Sequence, residues 1–118
     1  MNKKLQALGR LPPGRMNNLE FDYSKKLEMG KMVGDVLWYA FESMKFRLAD
    51  NTYYTPDFIV MRGDRTLEVH EVKGHARIFQ DDAKVKIKVA ASMMPIFKFK
   101  VVIPIPKNKG GGWDVIEY

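Results

Sequence analysis

The stretch TPDFIVMRGDRTLEVHEVKG, residues 55–74, restricts the fold more than any other part of the sequence. Two apolar, partly β-branched runs flank the segment RGDRT, whose glycine and aspartate are typical of a turn. The stretch therefore predicts an antiparallel β-hairpin. Opposed residues of such a hairpin share one face of the sheet, so the spacing of apolar residues determines how the two strands align.

The alignment with a five-residue loop keeps one face of the hairpin apolar. It opposes Met61 with Leu67, Ile59 with Val69, and Asp57 with Glu71. A shift by one residue would oppose Asp57 with His70 and break the apolar rows, so the odd loop, or a bulge with the same effect, is preferred. The last pair then presents two carboxylates at the open end of the hairpin, and Lys73 points to the same side.

Two carboxylates in this position indicate a binding site for a divalent cation. Opposed Cβ atoms lie about 4.5–5.5 Å apart, and two carboxylates at that distance repel unless one is protonated or a cation lies between them. The chain has no cysteine and two histidines, so the site would use oxygen ligands, which suit Mg²⁺ or Mn²⁺. The Val72 carbonyl is a further candidate ligand. Lys73 could position or deprotonate an attacking water, or meet the charge that develops on a phosphate.

The net charge indicates a polyanionic partner. Twenty Lys and Arg residues stand against fourteen Asp and Glu residues, which gives a formal charge of +6. Such an excess favours nucleic acid. No apolar run reaches the roughly 18 residues of a spanning helix, and the first residues do not resemble a secretion signal, so an intracellular, cytoplasmic protein without a membrane partner is expected.

The remaining sequence predicts a single α/β domain over residues 16–118, preceded by a flexible basic arm over residues 1–15. A first helix should begin near Met16, with Asn17 or Asn18 as its cap, and end at Gly30 or Gly34. Residues 35–50 indicate one or two strands before the turn ADNT. Residues 79–94 alternate like a strand but also form a helical stripe, and their length favours a helix. The segments KVVIPIP and WDVIEY are predicted strands, which gives a mixed sheet flanked by helices.

Several other residues are candidates for the site or for nucleic-acid contacts. On the first helix, Glu20 lies at the edge of the apolar stripe and is the expected inward carboxylate, whereas Glu28 should be solvated. His70 falls on the face opposite Glu71 and is expected to be structural. Candidates for contacts with phosphate are Lys84, Lys86, Lys88 and His75.

An acid on the first helix, PDF at the start of one strand and EVK on the next together resemble the PD-(D/E)xK nuclease superfamily. The segments NNLEFDYSKKLE, YTPDF and HEVKG are most similar to Holliday junction resolvases of the phage endonuclease I type and to a family of small phage and prophage proteins. The resemblance covers residues 16–106. It implies a restriction-endonuclease-like core with the order α-β-β-β-α-β.

The resemblance also implies an activity. Glu20, Asp57 and Glu71 would bind Mg²⁺, Lys73 would be catalytic, and the reaction would be hydrolysis of phosphodiester bonds in branched DNA inside a phage-infected or lysogenic bacterium. A resolvase makes two coordinated cuts, so a symmetric homodimer is expected. Two alternatives stay open at this point: a nuclease-like fold that only binds nucleic acid, and a structural interaction protein.

Overall fold

The computed structural model describes residues 14–75 and 82–118, which form two α-helices, seven strands and a short 3₁₀ turn. In chain order they are α1 (Asn18–Val33), β1 (Val36–Phe41), β2 (Phe46–Ala49), β3 (Thr52–Tyr54), β4 (Phe58–Arg62), β5 (Leu67–Val72), α2 (Asp82–Met93), β6 (Phe97–Pro104), a 3₁₀ turn (Lys107–Lys109) and β7 (Trp113–Glu117). Most of the predicted basic arm and the start of the predicted second helix, including Phe79, lie outside the described residues. Neither described helix is long and apolar enough to cross a membrane.

The strands form one mixed sheet of five and a separate ribbon of two. The sheet order is β1-β4-β5-β6-β7, in which only the β5–β6 pair is parallel. A parallel pair needs a long crossover connection, and α2 lies in it. The predicted α/β class with a mixed sheet is confirmed.

The predicted element order α-β-β-β-α-β was incomplete. The elements α1, β1, β4, β5, α2 and β6 follow it, and β7, which confirms the predicted strand WDVIEY, adds an edge strand. Residues 35–50 do contain two strands, but β2 leaves the sheet and pairs with β3 in the separate ribbon. Apolar spacing cannot show this, because a strand that pairs outside the sheet has the same alternation as one that pairs within it.

The predicted alignment of the β4–β5 hairpin is confirmed. Met61 pairs with Leu67 and Ile59 with Val69, which is the register of the five-residue loop. The turn is closed by a 2.9 Å hydrogen bond from the Arg62 N–H to the Thr66 carbonyl. This register places Asp57 at the open end of the hairpin, next to Glu71.

Two layers cover the sheet, one on each face. Helix α1 packs on one side in a cluster formed by Tyr23, Leu27, Val36, Phe58, Val60, Val72 and Val102. Helix α2 and the β2–β3 ribbon pack on the other side in a cluster formed by Phe46, Tyr54, Ile59, Val69, Ile87, Ala90, Phe97, Phe99 and Val101. Three successive β4 residues, Phe58, Ile59 and Val60, are completely buried, because both faces of this central strand are covered.

The ends of α1 confirm two sequence predictions. Asn17 is the N-cap, and its side chain accepts a hydrogen bond from the Glu20 N–H while the Glu20 carboxylate accepts one from the Asn17 N–H. Gly34 ends the helix at a φ of 87°, a conformation that favours glycine. The capping box fixes the first turn of α1, and Glu20 with it, beside the open end of the hairpin.

Candidate active site

Two main-chain hydrogen bonds hold Asp57 and Glu71 side by side. The Asp57 N–H donates to Glu71 Oε1 over 3.1 Å, and the Val72 N–H donates to Asp57 Oδ2 over 2.8 Å. Each carboxyl group is therefore oriented by the strand that carries its neighbour. These bonds use one oxygen of each group. The contact predicted for the last rung of the hairpin is present, and Val72 contributes to it through its N–H.

Tyr54 holds Glu71 from the ribbon side. Its hydroxyl donates to Glu71 Oε1 over 3.0 Å, and the residue is buried. Sequence analysis did not identify this contact, since a tyrosine at the end of a strand is an ordinary core residue. Because Tyr54 ends β3, the contact connects the separate ribbon to the candidate site.

Lys73 lies beside the Glu71 oxygen that takes no part in the hydrogen bonds between the two strands. Its Nζ lies 3.5 Å from Glu71 Oε2, and its side chain is 23% exposed. The Lys73 N–H donates to the Val102 carbonyl over 3.0 Å, so the main chain that carries this amine is fixed to β6. The predicted placement of the amine beside Glu71 is confirmed.

The two carboxyl groups share an unfavourable electrostatic environment. Burial is the main cause that raises the pKa of Asp57 to about 9, followed by the charge of Glu71, while the Val72 N–H opposes the shift. Burial also raises the pKa of Glu71, although Lys73 and the hydrogen bonds from Asp57 and Tyr54 oppose the change. A proton or a cation is therefore favoured between the two groups near neutral pH.

Glu20 approaches the pair from α1. Its carboxyl group lies within hydrogen-bonding distance of Asp57 and contributes to the raised pKa of that residue. The same side chain also accepts the capping bond from Asn17 at 2.8 Å, a structural role that was not predicted. Glu28 is exposed, as expected, and accepts a 2.7 Å bond from the Tyr39 hydroxyl. Glu20 is thus the α1 acid that reaches the site.

The donors at this position suit a hard divalent ion held by few protein ligands. Within residues 14–75 and 82–118, no group of three or more His, Cys, Asp or Glu side chains has an arrangement that could hold a metal ion. Magnesium commonly uses only one or two carboxylates and keeps several waters, so the Asp57–Glu71 pair meets its minimum requirement. The pair therefore fits such an ion as a two-carboxylate site, with Glu20 beside it rather than as a third member.

The candidates for phosphate contacts lie on and before α2. Lys84 and Lys88 are exposed on this helix, and Lys86 is half-buried on its inner side. His75 is exposed, two residues after Lys73. The structure places all four residues on the polypeptide that follows the candidate site, and their contact with nucleic acid stays a prediction.

A second polar group lies on the other face of the sheet, under α1. His70 lies on this face, as predicted, and is buried, and its Nδ1 accepts a 2.6 Å bond from the Tyr23 hydroxyl. Its Nε2–H donates to Glu68 Oε1 over 2.8 Å, while Lys100 Nζ donates to Glu68 Oε2 over 3.0 Å. Burial lowers the pKa of His70, so the ring is neutral near pH 7. This network is fully paired and is structural.

Comparisons of the chain with protein-family models, with curated protein sequences and with solved structures gave no match.

Proposed function

We propose that this chain is a metal-dependent endonuclease that hydrolyses phosphodiester bonds in DNA. The observation that carries the proposal is the pair of buried, adjacent carboxylates, Asp57 and Glu71, with Lys73 Nζ 3.5 Å from Glu71. Mg²⁺ or Mn²⁺ is the proposed cofactor. The formal charge of +6 supports a polyanionic substrate.

A purely structural role explains this pair poorly. Two acids buried next to each other reduce stability, because each must be desolvated and their charges repel. The network around Glu68 shows how the same chain stabilises a buried acid, with two cations, Lys100 at 3.0 Å and Arg62 at 3.6 Å. Asp57 has no such cation among the described residues, and burial and Glu71 raise its pKa. An unfavourable pair of titratable groups of this kind is typical of functional sites.

The residues around the pair have distinct proposed roles. A bound divalent ion would neutralise the two carboxylates and supply positive charge to the scissile phosphate. Asp57 and Glu71 would hold it, with the Val72 carbonyl as a further ligand. Lys73 would position or deprotonate the attacking water, or stabilise the charge that develops on the phosphate. Glu20 would orient the carboxyl group of Asp57 through a hydrogen bond and would be the third acid of the site.

The order of elements supports a nuclease-like core. An acid on α1, PDF before β4 and EVK at the end of β5 occur in the order of the PD-(D/E)xK motif, and the sheet brings the last two together. On this basis we propose a restriction-endonuclease-like core and, by resemblance to phage junction resolvases, branched DNA as the substrate. The proposal includes a homodimer, because resolution of a junction requires two coordinated cuts.

A cleavage panel tests the proposal. The substrates are a four-way junction, a flap, a linear duplex and a single strand, each with Mg²⁺, Mn²⁺ or EDTA. Wild type should cut at least one substrate with metal and none with EDTA, and Asp57→Asn, Glu71→Gln and Lys73→Met should each lose about 100-fold or more in rate. Glu28→Gln is the matched control, because Glu28 is an exposed acid of α1 that contacts Tyr39 instead of the site. Equal cutting by Asp57→Asn and wild type would reject the proposal.

The second candidate function is nucleic-acid binding without catalysis. It is favoured by one observation, namely that no group of three potential metal-binding side chains is found among the described residues. Metal binding distinguishes the two candidates. A nuclease should show a rise in melting temperature with Mn²⁺ that Glu71→Gln abolishes, whereas a binding protein should show DNA binding without this rise.

A further inference from the structure

The β2–β3 ribbon has one face turned to the core and one turned outward. Phe46 and Tyr54 form the inner face, and the Phe46 ring packs 5.5 Å from the ring of Phe97 on β6. Arg47 and Tyr53 are paired across the ribbon and therefore share its outer face. Tyr53 is 41% exposed there.

The outer face combines an aromatic ring with positive charge. Lys45 Nζ lies 4.5 Å from the centre of the Tyr53 ring, which is a cation–π contact. Arg47 forms an ion pair with Asp50, but both side chains are largely exposed, at 60% and 92%. An exposed pair of this kind is weak, so the guanidinium is available to a phosphate at small cost.

The ribbon also contacts the candidate site. Tyr54 directly follows Tyr53 and donates its hydroxyl hydrogen bond to Glu71 over 3.0 Å. Successive residues of a strand point to opposite faces, with Cα atoms about 3.8 Å apart. A base bound on Tyr53 would thus lie one residue along the chain from Tyr54, whose hydroxyl holds the proposed metal ligand Glu71.

The elements on the ribbon side of the sheet carry more positive than negative charge. Helix α2, which packs on the same face as the ribbon, carries three lysines and one aspartate, and the ribbon adds Lys45 and Arg47 against Asp50. Helix α1 carries three lysines against three acids, so the positive charge on its side of the sheet comes from the strands, at Arg62 and Lys100 beside Glu68. On the ribbon side, the lysines of α2 and the cations of the ribbon provide positive charge for a polyanion.

We propose that the outer face of the ribbon binds an unpaired segment of a nucleic-acid strand, with a base stacked on Tyr53 and the flanking phosphates at Lys45 and Arg47. An exposed aromatic side chain next to cations is the arrangement with which proteins hold single strands irrespective of sequence. The inference rests on the proposed function, because the unpaired segment would be the part of a branched substrate that the nuclease holds beside its active site. Lys84 and Lys88 of α2 would contact the backbone of the same strand.

Binding measured in EDTA tests this surface without cleavage. Fluorescence anisotropy compares a labelled oligothymidylate with a blunt duplex of the same length. Tyr53→Ala should weaken binding of the single strand roughly 5- to 150-fold, which corresponds to ~1–3 kcal/mol for one stacked base, and duplex binding by less than about twofold. Tyr53→Phe should bind like wild type, because it retains the ring. Lys45→Ala should reduce the slope of log affinity against log salt by about 0.7 for the single strand.

Trp38→Ala is the matched control, because Trp38 is an equally exposed aromatic residue, 43% against 41%, on the edge strand β1. Thermal unfolding of each variant checks that it is folded. Oligothymidylate binding by Tyr53→Ala within twofold of wild type, an equal loss in Trp38→Ala, or no binding by wild type would overturn the inference.

The result is independent of the nuclease proposal. If wild type binds the single strand through Tyr53 but cuts no substrate, the ribbon surface is supported and the nuclease proposal is rejected. If wild type cuts DNA and Tyr53→Ala binds and cuts equally well, the nuclease proposal is supported and the ribbon surface is rejected.

Discussion

Asp57 and Glu71 orient each other through the backbone. Asp57 donates its N–H to the Glu71 carboxylate at 3.1 Å, and its own carboxylate accepts from the N–H of Val72, the residue after Glu71, at 2.8 Å. The relationship is reciprocal, so neither side chain can turn away without loss of a bond to the opposite strand. The pair is organised before any cation binds, and its electrostatic cost is present in the metal-free protein.

The burial and mutual repulsion of the two carboxylates predict that the metal-free protein becomes less stable as pH rises. The unfolded chain releases the Asp57 proton near pH 4, whereas burial and the charge of Glu71 raise the folded pKa to about 9. Protonated Asp57 makes its full contribution to the free energy of unfolding below about pH 4. This contribution is lost as pH rises toward 9, by at most about 1.4 kcal/mol per pH unit. Urea unfolding in EDTA from pH 5 to 8 measures the slope.

Asp57→Asn is the informative variant for this slope. The amide oxygen can still accept from the Val72 N–H, but it has no proton to release in this range, so the fall in stability should be smaller and the variant should exceed wild type at pH 8. Mn²⁺ at pH 8 should stabilise wild type and leave Asp57→Asn unchanged. Identical pH dependence in the two proteins would show that the carboxyl pair is solvated.

Tyr54→Phe should weaken metal binding more at low pH than at high pH. The Tyr54 hydroxyl lowers the pKa of Glu71, so its removal makes that carboxylate easier to protonate and proton competition with the metal becomes stronger. We expect Mn²⁺ affinity at pH 6 to fall by about 10-fold, consistent with loss of one hydrogen bond to a charged group. At pH 8.5 the loss should be smaller. Titration followed by melting temperature or calorimetry measures both affinities.

Tyr39→Phe is the control for this experiment, because the Tyr39 hydroxyl also donates to a glutamate, Glu28, at 2.7 Å but on the exposed surface of α1. Its Mn²⁺ affinity should equal that of wild type at both pH values. An equal loss at pH 6 and pH 8.5 in Tyr54→Phe would assign Tyr54 a role in packing alone.

The hairpin was predictable because its apolar rows allow one register only. A slip by one residue would have opposed Ile59 with Glu68 and Asp57 with His70 and broken the apolar row, and this mismatch fixes the neighbours at the open end as well. The contact between Tyr54 and Glu71 could not be predicted in this way. It depends on where a separate ribbon packs, and no local pattern in residues 46–54 shows that the ribbon leaves the sheet.

The face of His70 was predictable from alternation, but its partners were not. Glu68 shares that face because it lies two residues away, whereas Tyr23 comes from α1 and Lys100 from β6. Partners that meet across three elements depend on the packing angle of a helix and on which strand becomes the parallel neighbour. Neither quantity is encoded in the spacing of residues along one strand.

The buried Glu68 predicts a large effect for its lysine partner. Burial favours protonation of Glu68, but the hydrogen bonds from His70 and Lys100 outweigh it and lower the pKa to about 2. Lys100→Met removes one of these partners and leaves the buried charge with His70 and Arg62, which should cost ~1.5–3 kcal/mol in urea unfolding at pH 7, as for loss of a hydrogen bond to a charged group. The paired carboxylate stabilises wild type above pH 4.5, and this contribution is lost as pH falls toward 2.

Lys98→Met is the matched control, since Lys98 lies two residues earlier on the same strand and is exposed. Its unfolding free energy should change by less than about 0.5 kcal/mol. Equal effects of the two substitutions would mean that the Lys100 ammonium is not required by Glu68.

Gly63→Ala should destabilise the protein at the turn of the hairpin, far from the acids. The Gly63 N–H donates to the Asp35 carbonyl at 2.8 Å, which draws the turn against the end of α1. A Cβ at this position would lie 2.5 Å from the Gly34 carbonyl oxygen, and backbone atoms on both sides leave little room for adjustment. We expect a cost of ~1–3 kcal/mol, as for other overpacked sites.

Gly74→Ala provides the comparison, because its Cβ would make an ordinary 3.6 Å contact with Leu19 and should change stability by less than about 1 kcal/mol. If both alanine variants unfold at the wild-type urea concentration, the turn does not press against α1, and the hairpin is positioned by its strand pairing alone.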